Sequence, residues 1–133
     1  MKIIDKLILA LLLSHLLIAC EKPEGEGGKA TIKGNVWTED WNNTFTSLET
    51  EYAAADKEVY IIYGTNTSYS KRIRTDYEGD FEFKFLREGN YKIYVYSKDK
   101  TLQSKSGEIA VVKDIEITKK KQTINLDKIV IYN

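Results

Sequence analysis

Apolar and polar residues alternate with period two along much of this chain, the spacing that sends successive side chains to opposite faces of a strand. Phe81, Phe83 and Phe85 alternate with charged or polar residues. After Arg87-Glu88-Gly89-Asn90, the odd positions Tyr91, Ile93 and Val95 do the same, which predicts a hairpin with one inward set. Tyr94 and Tyr96 fall on its other face with Lys92 and Glu82, so that side is amphipathic and partly exposed. Upstream, Ala30–Trp37 reads as a first strand, and the apolar run Glu58–Tyr63 as a strand central in a sandwich. Residues 38–52 are rich in Thr, Asn and Glu and fit a long connection, while Asp76-Tyr77-Glu78-Gly79-Asp80 reads as a turn. Downstream, Ile109, Val111, Ile115 and Ile117 keep odd parity, and Lys119-Lys120-Lys121-Gln122 makes a charged turn. Ile124 and Leu126 are even but Ile129 and Ile131 odd, which places a bulge or bend near Asp127-Lys128.

About seven short strands with turn signals every ~8–12 residues, and no helical period, predict a single all-β domain. The expected architecture is a seven-stranded antiparallel β-sandwich over residues 30–133.

The first residues follow a different rule. Lys2 and Lys6 precede an apolar stretch from Leu7 to Ala19, broken by Ser14 and His15 and ending at Cys20. A spanning helix needs about 20 apolar residues, so residues 1–19 read as a secretory signal. Residues 20–29 begin at Cys20 and continue Glu-Lys-Pro-Glu-Gly-Glu-Gly-Gly-Lys, a composition expected of a flexible tether. Without residues 1–19, Lys plus Arg falls from 20 to 18 and Asp plus Glu from 20 to 19. That near-neutral balance gives no reason to expect nucleic acid as a partner.

His15 and Cys20 are the only His and Cys in the chain. Once the signal is removed and the thiol occupied, Ser-His-Asp and Cys-His catalysis, His-ligated zinc and disulfides are excluded. No cofactor or metal is expected, and the domain reads as non-catalytic.

Two resemblances sharpen these expectations. Leu17-Ile18-Ala19-Cys20 resembles the lipobox of bacterial lipoproteins, which implies that Cys20 carries diacylglycerol and becomes the mature N-terminus. Glu21, Glu24 and Glu26 after it are similar to the acidic stretch that sends some Bacteroidetes lipoproteins to the outer face of the outer membrane. The pattern Asp76-x-x-Gly79-x-Phe81-x-Phe83, then Leu86-x-x-Gly89-x-Tyr91-x-Ile93, resembles the prealbumin-like sandwiches, among them carboxypeptidase regulatory-like and transthyretin-fold domains. That likeness implies a Greek-key sandwich. Its enzymatic members, the 5-hydroxyisourate hydrolases, use His, Arg and a C-terminal Tyr-Arg-Gly-Ser, whereas this chain closes on Ile131-Tyr132-Asn133. Adhesin repeats in the same group carry a Lys–Asn isopeptide bond promoted by an acid. Lys33, Asn125 and Glu82 stand at suitable positions, but inward Ile32 and Ile124 would turn Lys33 and Asn125 outward.

Among candidate sites, Trp37, Trp41 and Phe45 bracket a polar stretch beside Asp40, Asn42 and Asn43, with Tyr52 beyond. Aromatic faces stack on sugar rings, although the same residues would also serve to pin a long loop. Asp76, Glu78 and Asp80 could offer oxygen ligands to a hard cation but lack Ca²⁺-loop spacing, and ordinary turn chemistry explains them. Paired carboxylates such as Glu49 and Glu51 are the kind a carboxylate-based hydrolase would use. The expectation is a lipid-anchored envelope module, on the outer membrane and surface-exposed, that contacts an envelope protein or a glycan.

Overall fold

The structure, a computed structural model, describes Ile3, Ile4 and residues 22–133; the cleavage site and Cys20 lie outside the described residues. Nine strands follow in order: β1 (Glu26–Trp41), β2 (Leu48–Ala53), β3 (Glu58–Tyr63), β4 (Lys71–Arg74), β5 (Asp80–Leu86), β6 (Gly89–Lys98), β7 (Glu108–Ile117), β8 (Thr123–Asn125) and β9 (Ile129–Tyr132). They form two sheets that pack as a β-sandwich. One is the antiparallel ribbon β4-β3-β6-β7; the other is organised around β1, with β2, β5, β8 and β9 all hydrogen-bonded to it.

Even positions of β1 supply one wall of the core: Ala30, Ile32, Val36 and Thr38 are all buried. Odd positions of β6 supply the other, with Tyr91, Ile93, Val95 and Ser97 buried in turn. Each apolar side chain fully removed from water contributes about 1.5–3 kcal/mol, which is what holds the two sheets face to face. Gly34 sits opposite Phe81 across the β1–β5 ladder. A Cβ there would stand 2.5 Å from Phe81 Cζ, so the ring occupies the space the glycine leaves. The buried hydroxyl of Ser97 stitches the sheets together, accepting from Tyr132 N at 2.8 Å.

Four features depart from the alternation. Phe85 was expected inward but is 66% exposed, and its neighbour Leu86 is buried instead. The cause is local: Phe85 adopts φ 58°, and the β1–β5 register slips between Ala30 and Ile32, a bulge that exchanges the faces. The segment 38–52 is not one long connection: β1 runs through it to Trp41, and β2 returns from Leu48. The closing strands β8 and β9 run parallel to β1, so the sandwich is not wholly antiparallel, and its strands number nine rather than seven. The parity change at Asp127-Lys128 is the break between β8 and β9.

The fourth departure concerns the expected tether. β1 starts at Glu26, and Gly25 before it is buried. Its N–H donates to the Tyr91 hydroxyl at 2.9 Å, and its carbonyl accepts from Arg87 N at 2.8 Å. Tyr91 in turn donates to Arg87 O at 2.7 Å. A buried tyrosine must find hydroxyl partners, and this one finds them by drawing the glycine-rich segment onto the sandwich.

Gly79 closes the β4–β5 connection at φ 81°, with its carbonyl accepting from Val36 N at 2.8 Å. An added Cβ would lie 2.4 Å from Val36 O. Gly79→Ala is therefore expected to lose more than the ~1–2 kcal/mol that left-handed backbone alone costs a non-glycine residue, read by urea unfolding. A loss under ~0.5 kcal/mol, the range of an ordinary surface change, would show the turn to be incidental.

Candidate functional site

Two aromatic clusters stand outside the core. The first occupies the end of the sandwich where β1 finishes. Trp41 is half-buried; its Nε1 donates to Glu39 Oε2 at 3.0 Å, and Lys100 Nζ lies 3.6 Å above its ring centroid. The same ammonium is 5.1 Å from the Tyr132 ring, whose edge meets Phe45 at 6.4 Å between centroids. Trp41 and Phe45 thus meet through Lys100 and Tyr132, a grouping of three separate chain segments. Trp37, also half-buried, is not part of it: its ring is covered by Lys128 at 4.0 Å. Tyr52 accepts from Asn133 Nδ2 at 3.3 Å.

Two fixed loops place these groups. In the β1–β2 connection, Asn42 Oδ1 accepts from Thr46 N and Ser47 N at 2.9 and 3.3 Å, which sets Phe45 at φ 53°. In the β6–β7 connection, buried Asp99 accepts from Thr101 Oγ1 (2.6 Å), Ser104 N (2.6 Å), Thr101 N (2.9 Å) and Gln103 N (2.9 Å). The Thr101 hydroxyl and these amides favour the carboxylate and hold its pKa at about 2. Lys100, next in the chain, is carried to Trp41 by this turn.

The second cluster covers the outer face of β4-β3-β6-β7. Cross-strand pairing aligns Arg72, Tyr60, Tyr94 and Val112 in one row across the four strands. The Tyr60 and Tyr94 rings stack at 4.9 Å and 6°, and Tyr96 and Tyr69 meet Tyr60 edge-on at 5.6 and 5.2 Å. Tyr69 is 48% exposed, Tyr96 42% and Val112 48%, so the ridge is wet on one side. Donation to Glu58 at 2.6 Å raises the Tyr60 pKa, and burial raises that of Tyr94. The same bond from Tyr60, with Arg72 and Arg74 at 3.1 and 3.5 Å, lowers that of Glu58. The shared face of Tyr94 and Tyr96 was legible from parity; the arrival of Tyr60 and Tyr69 required the strand order.

The remaining candidates resolve into structure. Asp76 Oδ1 accepts from Glu78 N and Asp80 N at 2.9 Å each, and Asp80 Oδ1 accepts from Asn35 Nδ2 at 2.7 Å. Those acids build the turn, and no metal-holding group of His, Cys, Asp and Glu occurs among the described residues. Glu49 and Glu51 are exposed on the edge strand β2. Lys33 does pair in register with Glu82 on one side and Asn125 on the other. The face is open, however: Lys33 Nζ is 3.3 Å from Glu82 Oε1, with those side chains 50% and 33% exposed. Burial alone would raise the Glu82 pKa, but bonds from Lys84 and Lys33 outweigh it and hold it below the ordinary value. An ionised acid beside a charged amine is the opposite of what amide formation needs.

No protein-family model matches the chain, and no curated protein sequence does either. Among solved structures, it is similar to a Pseudomonas aeruginosa protein provisionally described as carbohydrate binding, at 13% identity and TM-score 0.48, over 90% of this chain and 96% of that one. A minor pilin of Streptococcus agalactiae matches at 14% identity and TM-score 0.41, over 80% of this chain and 46% of that one. Likenesses this distant carry no argument about function.

The Asp99 turn yields a pH prediction. Its folded pKa lies below the ordinary 3.8, so its stabilisation is complete above that value and is lost as pH falls through about 2. The amide resonances of Thr101, Gln103 and Ser104 should shift together with a midpoint near 2. A common midpoint at the ordinary carboxylate value would show that Asp99 does not hold the loop.

Proposed function

We propose that this chain is a lipid-anchored, non-catalytic binding module of a bacterial envelope that engages a partner protein through the tyrosine ridge on β4-β3-β6-β7. One observation carries the reading: four tyrosines and Val112 gather on a face that the core does not need. Tyrosine offers large, rigid contact area with a polar tip, and it is enriched at interfaces. The Asp76–Phe81 turn and the Leu86–Tyr91 connection support a prealbumin-like scaffold beneath it.

Anchoring rests on Leu17-Ile18-Ala19-Cys20. Two or three acyl chains at ~0.8 kcal/mol per buried CH₂ would hold the domain on a membrane and raise its effective concentration for partners there. The acidic residues after Cys20 support display on the outer face of the outer membrane.

A carbohydrate-binding module is the second reading, favoured by Trp41, Phe45 and Tyr132 around Lys100. Trp41 is half-exposed, with an ammonium above its ring, and offers aromatic surface of the kind that stacks on sugars. A carboxylate-based hydrolase is the weakest reading, because Glu49 and Glu51 face solvent on an edge strand.

Replacing Tyr69 and Tyr96 together by Ser should weaken capture of envelope protein by at least ~10-fold, as expected of central interface aromatics. Stability should change little, since both side chains are already half in water. Undiminished capture, together with loss of glycan retention in Trp41→Ala, would transfer the function to the second cluster. Cys20→Ser should move the protein from the membrane to the soluble fraction; unchanged membrane retention would sink the lipid anchor.

A further inference from the structure

The N-terminal segment and a lysine turn occupy the same end of the sandwich, opposite the Trp41 and Asp99 loops. Glu26 pairs with Leu86 at the start of β1, while Ile117 pairs with Gly89 where β7 ends. Gly64 N donates to Asn90 O at 2.8 Å, which brings the β3–β4 loop to this end too. At the far end, Lys98 pairs with Glu108, and Trp41 with Leu48. A 16-residue β1 at ~3.3 Å per residue separates the ends by up to ~50 Å of strand.

Docking of the chain begins at Pro23. Its carbonyl accepts from Arg87 Nη1 at 3.2 Å, Glu24 Oε1 accepts from Asn90 N at 3.3 Å, and Gly25 is buried against Tyr91. Glu26 then pairs with Lys71. Only Glu21 and Lys22 lie between Cys20 and this docked segment. A fully extended chain gains about 3.5 Å per residue step, a reach of ~10 Å over the steps from Cys20 to Pro23. An anchor at Cys20 would therefore leave this end of the domain at the headgroups, with no long tether about which to tumble.

The surface there suits that neighbour. Gln122 Oε1 accepts from Thr118 N at 2.8 Å and Lys119 N at 3.2 Å, and Gln122 N donates to Lys119 O at 3.2 Å, which fixes a tight turn. Lys119, Lys120 and Lys121 project from it, all exposed, and none joins an ion pair among the described residues. Of the acids in these segments, Glu26 is paired with Lys71, which leaves Glu21, Glu24, Glu88 and Glu116 against the three lysines, Lys22, Lys29 and Arg87, four acids against six cations.

We propose that the Lys119-Lys120-Lys121 turn contacts the phosphates of the anionic bilayer to which Cys20 anchors the chain. Together with the docked Pro23–Glu26 segment, it holds the sandwich upright with the Trp41–Lys100 end outermost. The inference rests on the anchoring reading above. The occupant of this surface is a lipid membrane rather than a protein.

Lysine footprinting by acetylation and mass spectrometry tests it on the protein purified from bacterial membranes and reconstituted in vesicles. On phosphatidylglycerol–phosphatidylethanolamine vesicles, Lys119–Lys121 should react about fivefold more slowly than in detergent, the factor matching ~1 kcal/mol per lysine at an anionic surface. Lys100 and Lys105 should be unchanged. Phosphatidylcholine vesicles, or the variant Lys119→Glu, Lys120→Glu, Lys121→Glu, should abolish the contrast between the two ends. Equal protection at both ends, or protection of Lys100 and Lys105 alone, overturns the upright orientation. Intact mass judges the anchor separately: should no acyl group be found, the same chain coupled through Cys20 to a maleimide lipid still decides orientation by the same readout.

Discussion

The structure depends on β1 acting as a shared strand. Four other strands complete their backbone pairing on it, so its hydrogen bonds determine the position of the chain's beginning, middle and end at once. Its even positions must also stay buried in the core, and position 34 must lack a side chain to admit the Phe81 ring. Both demands fall on one stretch, Ala30 to Thr38, and errors there propagate into both edges of the sheet. The sheet β4-β3-β6-β7 has no comparable hub: after β4 the chain crosses to β5 in the other sheet and returns as β6 beside β3.

The parts legible in the chain were those where burial writes a period. Ile32 and Val36, and Tyr91 to Val95, all point where alternation places them, and the apolar run Glu58–Tyr63 is a strand inside its sheet, with Val59 and Ile61 buried. Strand β2 escaped because Leu48 to Tyr52 are exposed; it is a strand by virtue of pairing with β1, and backbone pairing leaves no signature in side-chain polarity. Phe85 escaped because a non-glycine residue at positive φ looks like any other phenylalanine in a list of alternating positions. The Gly25 segment escaped because its partner, the Tyr91 hydroxyl, lies 66 residues away.

Site residues obey the same division. Trp41 and Phe45 were visible as aromatics in a polar stretch, but their neighbours Lys100 and Tyr132 come from loops and strands that only the fold brings near. The tyrosine ridge was half visible, since Tyr94 and Tyr96 share parity, and Tyr60 joins them through the β3–β6 register. Polar groups elsewhere serve shape: Asp76, Asn42 and Asp99 each spend a side-chain oxygen on backbone N–H groups and fix a turn. The result is a rigid frame with its aromatic surface outside the core.

The parallel pairing of β9 with β1 has a mechanical consequence. Because the two strands run in the same direction, the chain enters the sheet at one end of the sandwich and leaves it at the other. A pull between the two termini acts along the strands, and it loads the rungs of that ladder in shear, together rather than one after another. A hairpin pulled by its open ends unzips rung by rung under small force. Wherever this domain transmits tension between its first and last residues, it will hold until several hydrogen bonds fail at once.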